Sequence, residues 1–341
     1  MKNGILRSCP DATVSVLPLA DGGEGTIDAM APFIGGKVRA LKAKGPLGAA
    51  IDSSYIYDDS TKTAYIEMAK VCGLTLLRPE ERDPYKTSTY GVGEMMLDAV
   101  ACGARSVVLC IGGSATNDGG AGMLQALGAK LLDPSGSFIP LGAMGLKSLA
   151  SADLECLSGL DLSITVASDV TNPLCGPDGA SFVYGPQKGA SPEACALMDK
   201  WLLNYASVLG FDAFEPGTGA AGGISFALKN CLGAKLVSGA ELVMEKTGLE
   251  REISSCNIVI TGEGRMDGQT LNGKAPFKVL ETGLRFGKRV FGITGCLGDG
   301  WAECVKAGFE RIVPLIDPVM EKALAVRSLE ETAARLFAEI T

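Results

Sequence analysis

The chain has 341 residues, of which 47% are hydrophobic and 21% charged, a balance that allows a sizeable core and excludes a disordered chain. Its 31 basic and 39 acidic residues give a net charge of -8, and no Lys/Arg run follows a predicted helix, which argues against nucleic acid or an anionic membrane surface as a partner. Because histidine is absent, His-based triads, relays and metal sites are excluded, whereas phosphoryl transfer, which depends mainly on positioning and charge, stays open.

The predicted elements alternate between short apolar runs and amphipathic helices. The runs commonly end in Gly-rich turns, and their length predicts parallel strands buried on both faces of a sheet. The predicted strands cover residues 14–19, 106–111, 162–168, 257–261, 289–294 and 312–316. Apolar spacing predicts helices around 92–100 and 194–209, and a capping-box pattern places the start of the last helix at Ser328. This order predicts an α/β fold with two domains.

The cysteine content and the distribution of apolar runs predict the cellular location of the protein. The chain has eleven cysteines and no C-x-x-C pair, so they are predicted to be small buried hydrophobes in a reducing cytosol. The N-terminus has no apolar signal-peptide region, and no apolar run reaches transmembrane length. We therefore expect a cytoplasmic protein. A homodimer is possible, although the sequence does not define the oligomeric state.

The first Gly-rich segment that carries candidate functional residues covers residues 20–26, between a predicted strand and a predicted helix. Such turns are where ligands bind in α/β sheets, and its glycines allow close approach to the backbone. Asp21 and Glu24 are suited to hold Mg²⁺ or to orient a hydroxyl. An acidic helix N-terminus, favoured by the helix dipole, would have the same pattern.

The densest glycine cluster covers residues 112–122, again between a strand and a helix. Successive backbone N–H groups in such a turn form an anion site. The pattern is neither a Walker A loop nor G-x-G-x-x-G. Between two strongly patterned elements, this density favours a functional loop over a merely flexible one. Its polar residues are Ser114, Thr116, Asn117 and Asp118.

Two further turns carry single charged residues. Asp169 ends a predicted strand, where catalytic carboxylates are common in α/β folds, although an Asx turn onto the next residues is an alternative. Lys188 lies in a Gly/Pro-rich turn and could reach a phosphate, but a solvated surface lysine is the simpler interpretation of this residue alone. Residues 217–223 (GTGAAGG) are explained by close helix packing about as well as by phosphate binding.

The last segment, residues 261–267, carries two carboxylates close to two cations. Glu263 and Asp267 are accompanied by Arg265 and, further on, by Lys274. This combination suits binding of anions together with a metal, and a surface ion-pair cluster is the alternative. Its predicted position at the carboxyl end of a strand favours a functional role.

These segments resemble the bacterial glycerate kinase family in content and in order along the chain. The matching stretches are PLADGGEGT, IGGSATNDGGAGMLQALGA, SDVTNPLCGPDGASFVYGPQKGA, GTGAAGGI and ITGEGRMDGQTLNGKAP. The resemblance implies an enzyme that uses ATP and Mg²⁺ to phosphorylate D-glycerate, in this branch usually at the 2-hydroxyl, giving 2-phosphoglycerate and ADP. A kinase for another small hydroxy acid, or an impaired homologue that only binds glycerate or nucleotide, stays open.

The same resemblance implies two α/β domains with the active site in the cleft between them. One is Rossmann-like and discontinuous, assigned to residues 1–44 and 236–341, and the other is an inserted α/β domain at 45–235. Family members begin with a strand and a D-S-F-K-G-S loop ahead of the part matched here. The first domain is therefore expected to be N-terminally incomplete, with an exposed sheet edge or a gap in its sheet.

Residue chemistry and the resemblance together suggest a role for each candidate. The catalytic candidates are Asp169, as the base that accepts the hydroxyl proton, together with Asp21 and Lys188. The candidate substrate ligands are Ser114, Thr116, Asn117, Asp118 and Arg265. The candidate ATP-binding residues are Gly22, Gly23, Gly112, Gly113, Gly119, Gly120, Gly262 and Gly264. The candidate metal ligands are Glu24, Glu263 and Asp267.

Overall fold

The computed structural model describes a chain whose contacts fall into two units. The described residues are 1–271, 273–316 and 322–341. The first unit comprises Met1–Leu19 and Val243–Thr341, and the second comprises Ala20–Leu242. Both units combine helices with strands, so the predicted α/β fold class is confirmed.

The ends of these units differ from the expected domain boundaries. Residues 20–44 and 236–242 lie in the second unit, whereas the sequence analysis placed them in the same domain as the C-terminal third. The reason is strand pairing, because residues 37–44 pair along their whole length with residues 50–58 and so belong to the same sheet. Nothing in the apolar pattern of either segment indicated this antiparallel pair.

The strands of the second unit form one large sheet and one small one. In chain order its strands are β1 (Lys37–Lys44), β2 (Ala50–Asp58), β3 (Thr63–Glu67), β4 (Ser106–Cys110), β5 (Lys130–Leu132), β6 (Ser151–Asp153), β7 (Ser163–Ala167) and β8 (Lys235–Val237). The strands β9 (Ile258–Met266), β10 (Arg289–Leu297) and β11 (Arg311–Pro314) belong to the first unit. The large sheet has the order β1-β2-β3-β4-β7-β8, and β5 pairs with β6 separately. Pairs β1–β2 and β2–β3 are antiparallel, whereas β3, β4, β7 and β8 run parallel. The carboxyl ends of these four strands therefore lie at one edge.

The helices agree with the predicted periodicity in part. The α-helices are α1 (Lys2–Ser8), α2 (Thr26–Met30), α3 (Ala69–Cys72), α4 (Tyr90–Ala101), α5 (Ala121–Ala126), α6 (Ala143–Leu146), α7 (Ala180–Tyr184), α8 (Pro192–Leu209), α9 (Ala220–Leu232), α10 (Gly239–Thr247), α11 (Leu249–Ser255), α12 (Ala275–Arg285), α13 (Trp301–Lys306) and α14 (Lys322–Ile340). Short 3₁₀ helices cover Leu74–Leu76, Pro79–Glu81, Glu155–Gly159, Pro186–Lys188 and Gly268–Leu271. Helix α8 contains the run predicted at 194–209, and the Ser191 hydroxyl caps its start by accepting a hydrogen bond from the Ala194 N–H at 3.2 Å. The predicted start of the last helix was wrong, since Ser328 lies inside α14. No helix in the described ranges is long and apolar enough to cross a membrane.

The core of the second unit lies between its central strands and the neighbouring helices. Leu109 of β4 and Val166 of β7 are fully buried, and residues 107–110 are buried without alternation, as expected of a strand covered on both faces. Val92 and Met96 of α4 belong to the same apolar cluster. This rigid centre fixes the ends of the parallel strands, and therefore the loops that follow them.

The first unit contains a parallel sheet with the order β11-β10-β9. Strand β10 corresponds to the run predicted at 289–294, and β9 begins at the run predicted at 257–261. However, β9 continues to Met266, because residues 262–266 keep their parallel register with β10. Most of the segment predicted as a loop at 261–267 is therefore strand.

Residues 14–19, predicted as a strand, form no strand among the described residues. Val14 packs with one apolar cluster, whereas Leu17 and Leu19 pack with another. A cavity of about 820 Å³ is lined both by this segment and by residues 258–261 of β9. Residues 14–19 and the edge strand β9 therefore border the same cavity, without strand pairing between them among the described residues.

We expect the amide hydrogens of Ile258–Thr261 that point away from β10 to exchange with solvent much faster than those of β10 at 290–293. Strand β10 is paired on both sides, whereas within the described residues β9 is paired on one. Hydrogen exchange measured residue by residue by NMR is the test. Equal protection of the two strands would contradict this arrangement of the sheet.

The start of α9 packs closely against the 112–122 loop of the same unit. Ala221, Gly222 and Gly223 have left-handed backbone conformations, with φ of 54, 74 and 88°. The Gly119 N–H donates to the Gly222 carbonyl at 3.0 Å. A Cβ on Gly222 would lie 1.9 Å from the Thr116 carbonyl oxygen. Of the two explanations for the GTGAAGG segment, the structure favours close packing.

We expect Gly222→Ala to lower the free energy of unfolding by about 3 kcal/mol or more, because the clash adds to the left-handed backbone cost. The matched control is Gly233→Ala, where φ is 66° and no heavy atom lies within 4 Å of the added Cβ. The control should lose only about 1–2 kcal/mol. Urea unfolding of both variants measures the difference, and equal losses would contradict the packing argument.

Candidate active site

Four loops of the second unit meet at the carboxyl edge of the parallel strands. They follow β3, β4, β7 and β8, and the segment at residues 21–25 lies against them. The Gly112 N–H donates to the Gly22 carbonyl at 3.1 Å. A Cβ on Gly22 would lie 2.7 Å from the Ala167 carbonyl oxygen, and one on Gly239 would lie 2.2 Å from that of Asp21. The acidic segment at residues 21–25 is thus brought together with the Gly-rich loop at 112–122.

A residue that sequence reasoning missed, Glu67, fixes the 21–25 segment. It is the last residue of β3 and is 2% exposed. Its carboxylate accepts hydrogen bonds from the Gly25 N–H at 2.7 Å and the Ile27 N–H at 3.2 Å, which caps α2. Burial raises the pKa of this carboxyl group, although the two N–H donors oppose the shift. The sequence feature that could have identified Glu67 is a glutamate at the end of an apolar strand.

Asp21 and Glu24 remain at the surface of this edge. One Asp21 carboxylate oxygen accepts a hydrogen bond from the Gly23 N–H at 3.0 Å. Glu24 accepts one from the Thr75 hydroxyl at 3.0 Å. Both side chains are exposed, so their remaining carboxylate lone pairs face solvent.

Asp169 lies beyond the end of β7 and is anchored by the start of α10. Its carboxylate oxygens accept hydrogen bonds from the Gly239 N–H at 3.2 Å and the Ala240 N–H at 3.3 Å. These long-range bonds, in place of an Asx turn, set its orientation. Desolvation raises the pKa of Asp169, and the nearby charge of Asp21 raises it further. The two carboxylates are therefore electrostatic neighbours.

The 112–122 loop presents only its first residues to solvent. Gly113 is exposed, Gly112 is half-buried and Ser114 is 5% exposed. Thr116, Asn117 and Asp118 are fully buried. The three buried side chains do not reach the surface, so their assignment as substrate ligands stays a prediction that this conformation does not favour.

The glycines of this loop differ in the same way. Gly119 and Gly120 are buried and left-handed, with φ of 64 and 81°. A Cβ on Gly119 would meet the Tyr205 ring at 2.8 Å, and one on Gly120 would meet Ala227 at 2.7 Å. Their small size therefore serves packing against neighbouring helices, whereas Gly112 and Gly113 remain accessible for a ligand.

Lys188 is also inside the protein. It is 1% exposed, and its Nζ donates to the Thr116 carbonyl at 2.6 Å. The simpler interpretation of a solvated surface lysine was therefore wrong. The alternative, direct contact with a phosphate, also does not match this position, because the ammonium group is directed at the buried half of the 112–122 loop.

The acidic residues of the first unit form a local cluster at the end of β9. The Thr270 hydroxyl donates to Glu263 at 2.6 Å. The Nζ of Lys274 lies 3.6 Å from Glu263 Oε2 and 3.7 Å from Asp267 Oδ1. Arg265 lies 3.4 Å from Asp267, and its side chain is 62% exposed. Lys274 thus already supplies the cation between the two predicted metal ligands.

Two predicted nucleotide-binding glycines, Gly262 and Gly264, lie within β9 and not in a loop. A Cβ on Gly262 would lie 1.9 Å from the Ile293 carbonyl oxygen of β10, so this glycine is required by strand packing. Around Gly264 the space is open. Only Gly264 therefore leaves room for a bound group beside the strand.

Metal-binding potential rests on separate carboxylates. In the part of the chain that the structure describes, no group of three or more Cys, Asp or Glu side chains is arranged to hold a metal ion. The exposed carboxylates of Asp21, Glu24 and Asp169 can still accept protons or contribute single oxygen ligands. These carboxylates are suited to accept hydrogen bonds from the hydroxyl groups of a ligand.

Known proteins similar to this chain share one family. Residues 1–341 match the glycerate kinase family. The chain is 40% identical to a glycerate kinase of Halalkalibacterium halodurans, covering 100% of this chain and 92% of that protein. It is 44% identical to the glycerate 2-kinase of Escherichia coli K12, covering 94% and 86%. A crystal structure assigned to glycerate kinase 2 of Salmonella typhimurium LT2 matches with a TM-score of 0.83 at 40% identity, covering 99% and 91%. The chain therefore belongs to the glycerate kinase family, as the Gly-rich motifs predicted.

Proposed function

We propose that this chain transfers the γ-phosphoryl group of ATP to the 2-hydroxyl of D-glycerate, giving 2-phosphoglycerate and ADP. Membership of the glycerate kinase family supports the kinase reaction and ATP as donor. The name of the Escherichia coli relative, glycerate 2-kinase, favours the 2-hydroxyl. The observation that carries the proposal is the position of Asp21, Glu24 and Asp169 at the carboxyl edge of parallel strands, where ligands bind in α/β sheets.

Asp169 is the proposed general base. The attacking hydroxyl must lose its proton as its oxygen bonds to phosphorus, and a carboxylate within hydrogen-bond distance can accept that proton. The raised pKa of Asp169, caused by desolvation and by Asp21, makes it a better proton acceptor than an ordinary aspartate. The N–H groups of Gly239 and Ala240 hold its carboxylate in one orientation.

We propose that the phosphate groups of ATP bind to the accessible backbone of the glycine loops. Gly23, Gly112 and Gly113 lie at the same edge as Asp169, and a glycine backbone allows phosphate oxygens to approach closely. Ser114 follows them in the chain and is 5% exposed. Arg265 of the first unit is exposed, and its guanidinium group is suited to bind an anionic oxygen.

Mg²⁺ is the proposed metal, and the donor set fits it. This ion is commonly bound through one or two carboxylates, with water and substrate phosphates completing its coordination. Asp21 and Glu24 are exposed carboxylates of that kind. When bound, the ion would neutralise charge on the phosphate oxygens. Since Lys274 already lies between Glu263 and Asp267, we assign the ion to Glu24 and Asp21 in preference to that pair.

The remaining predictions concern location and assembly. All eleven cysteines are free thiols, which supports a reducing cytoplasm. The homodimer and the lack of a nucleic-acid partner stay predictions.

We expect Asp169→Asn to lower kcat about 10²-fold or more, because the amide cannot accept the hydroxyl proton. Its remaining carbonyl oxygen can still accept a backbone N–H, so folding should be preserved. The matched control is Asp161→Asn, an aspartate whose side chain is 89% exposed and which pairs with Arg105. A coupled ADP-release assay measures both, and an unchanged kcat for Asp169→Asn would remove it from the role of base.

The pH dependence of kcat tests the same assignment. The base works only when deprotonated, so activity should fall as pH drops through the pKa of Asp169. Because that pKa is raised, the acid limb should lie above the usual pH range for an aspartate. Asp169→Asn should abolish this limb, and a variant that keeps it would place the ionisation elsewhere.

Substrate choice is tested by ADP release with D-glycerate, tartronate and lactate. We expect the highest kcat/KM with D-glycerate. Phosphorus NMR of the product should give 2-phosphoglycerate. Formation of 3-phosphoglycerate would overturn the choice of hydroxyl, and preference for another acid would overturn the choice of substrate.

A further inference from the structure

The position of Lys188 calls for a physical explanation. It ends the 3₁₀ helix Pro186–Lys188, and its whole side chain is buried. A charged group inside a protein is unfavourable unless its charge and donors are used. One donor is used by the Thr116 carbonyl, at a Nζ–O distance of 2.6 Å. The hydrogen bond to the main chain of the 112–122 loop therefore explains part of why Lys188 is buried.

Asp118 supplies the opposite charge from the same loop. It is fully buried, and its carboxylate accepts bonds from the Thr89 N–H and hydroxyl, both at 2.9 Å. It also accepts bonds from the Gly120 N–H at 3.1 Å and the Gly122 N–H at 3.3 Å. Asp118 thus fixes the end of the loop through the Gly120 and Gly122 N–H groups. Lys188 binds the carbonyl of Thr116, which lies two residues before Asp118.

The charge of Asp118 acts on the ionisation of Lys188. Burial lowers the pKa of Lys188 to about 7, and the charge of Asp118 opposes that shift. The pKa of Asp118 is itself raised by burial, with its four hydrogen bonds opposing. The thiol of Cys72, the other titratable group near Lys188, has a strongly raised pKa through burial and stays neutral. The negative charge of Asp118 therefore favours the ammonium form of Lys188.

We propose that Lys188 and Asp118 are a buried pair of positioning residues that hold the 112–122 loop in the conformation required for phosphoryl transfer. Neither side chain reaches the surface, so the pair acts through the main chain between Thr116 and Gly122. The accessible Gly112 and Gly113 lie at the start of the same loop, shortly before the part that the pair supports. The catalytic readout of this proposal rests on the proposed kinase function. Loop displacements of about 1 Å can reduce a rate 10²-fold.

The experiment compares four variants with the wild type. Lys188→Met removes the charge and the donors while keeping a long side chain. Asp118→Asn removes the opposite charge and keeps one acceptor, and the double variant is again neutral. Lys147→Met is the matched control, because that lysine is exposed in the same unit. For each variant, kcat and KM are measured by ADP release, and stability by the urea midpoint.

We expect Lys188→Met to lower kcat about 10²-fold and to change KM for ATP and D-glycerate by less than about threefold. The double variant should regain about tenfold in kcat and should unfold at higher urea than Lys188→Met, since Asp118 no longer remains as an unpaired buried charge. Lys147→Met should match the wild type. A double variant no better than Lys188→Met in both measurements, or a Lys188→Met variant with wild-type kcat, overturns the proposal.

Folding provides a readout that does not need activity. If Lys188→Met fails to fold, recovery of a folded double variant supports the pair, and failure of the double variant alongside a stable Asp118→Asn overturns it. Failure of the proposed kinase function looks different, because the wild type itself would then release no ADP with D-glycerate. In that case the urea midpoints still test whether Lys188 and Asp118 act as a pair. If the shift of the double variant equals the sum of the shifts of the two single variants, the pairing is overturned.

Discussion

The parallel alignment of β3, β4, β7 and β8 is the constraint on which the candidate site depends. Parallel strands end at the same edge, so residues far apart in sequence follow them to one place. Glu67 and Asp169, about a hundred residues apart, reach the same edge for this reason. The 21–25 segment crosses these strand ends because its backbone bonds to Gly112 and Glu67. Acidic side chains and accessible glycine backbone are thereby concentrated in one region.

Behind that edge, the interior is polar where an apolar core would be simpler. Thr116, Asn117 and Asp118 are buried together with Lys188. Among the described residues the Thr116 hydroxyl and the Asn117 side-chain oxygen have no hydrogen-bond partner. The Asn117 amide, the Asp118 carboxylate and the Lys188 ammonium group are bonded to Ser181, to Thr89 or to main chain. Buried polar groups that are satisfied in this way specify one conformation, because any other arrangement leaves charges or donors without partners. The loop at the surface therefore inherits its shape from hydrogen bonds in the interior. This arrangement gives a rigid support for a reaction that depends on positioning.

Sequence patterns predicted the α/β class, the centres of several strands and the family, but were less successful for individual side chains. Lys188 was predicted as a catalytic residue, with a surface lysine as the simpler alternative, because local sequence gives no sign that its turn packs on the 112–122 loop. Gly262 was placed in a loop, yet β9 continues through it because β10 provides a partner. The segment at 14–19 has the composition of a strand, but strand formation needs a neighbour, and this segment faces a cavity.

The sequence by itself determined the chemistry that this protein can use: no histidine, carboxylates beside Gly-rich turns, and motifs of one kinase family. These properties are local, since residue identity and spacing carry them. Only the tertiary structure decided which polar residues face solvent. Asp21, Glu24 and Asp169 are exposed, whereas Asp118 and Lys188 are buried. That division depends on packing between segments distant along the chain, and no short stretch of sequence records such contacts.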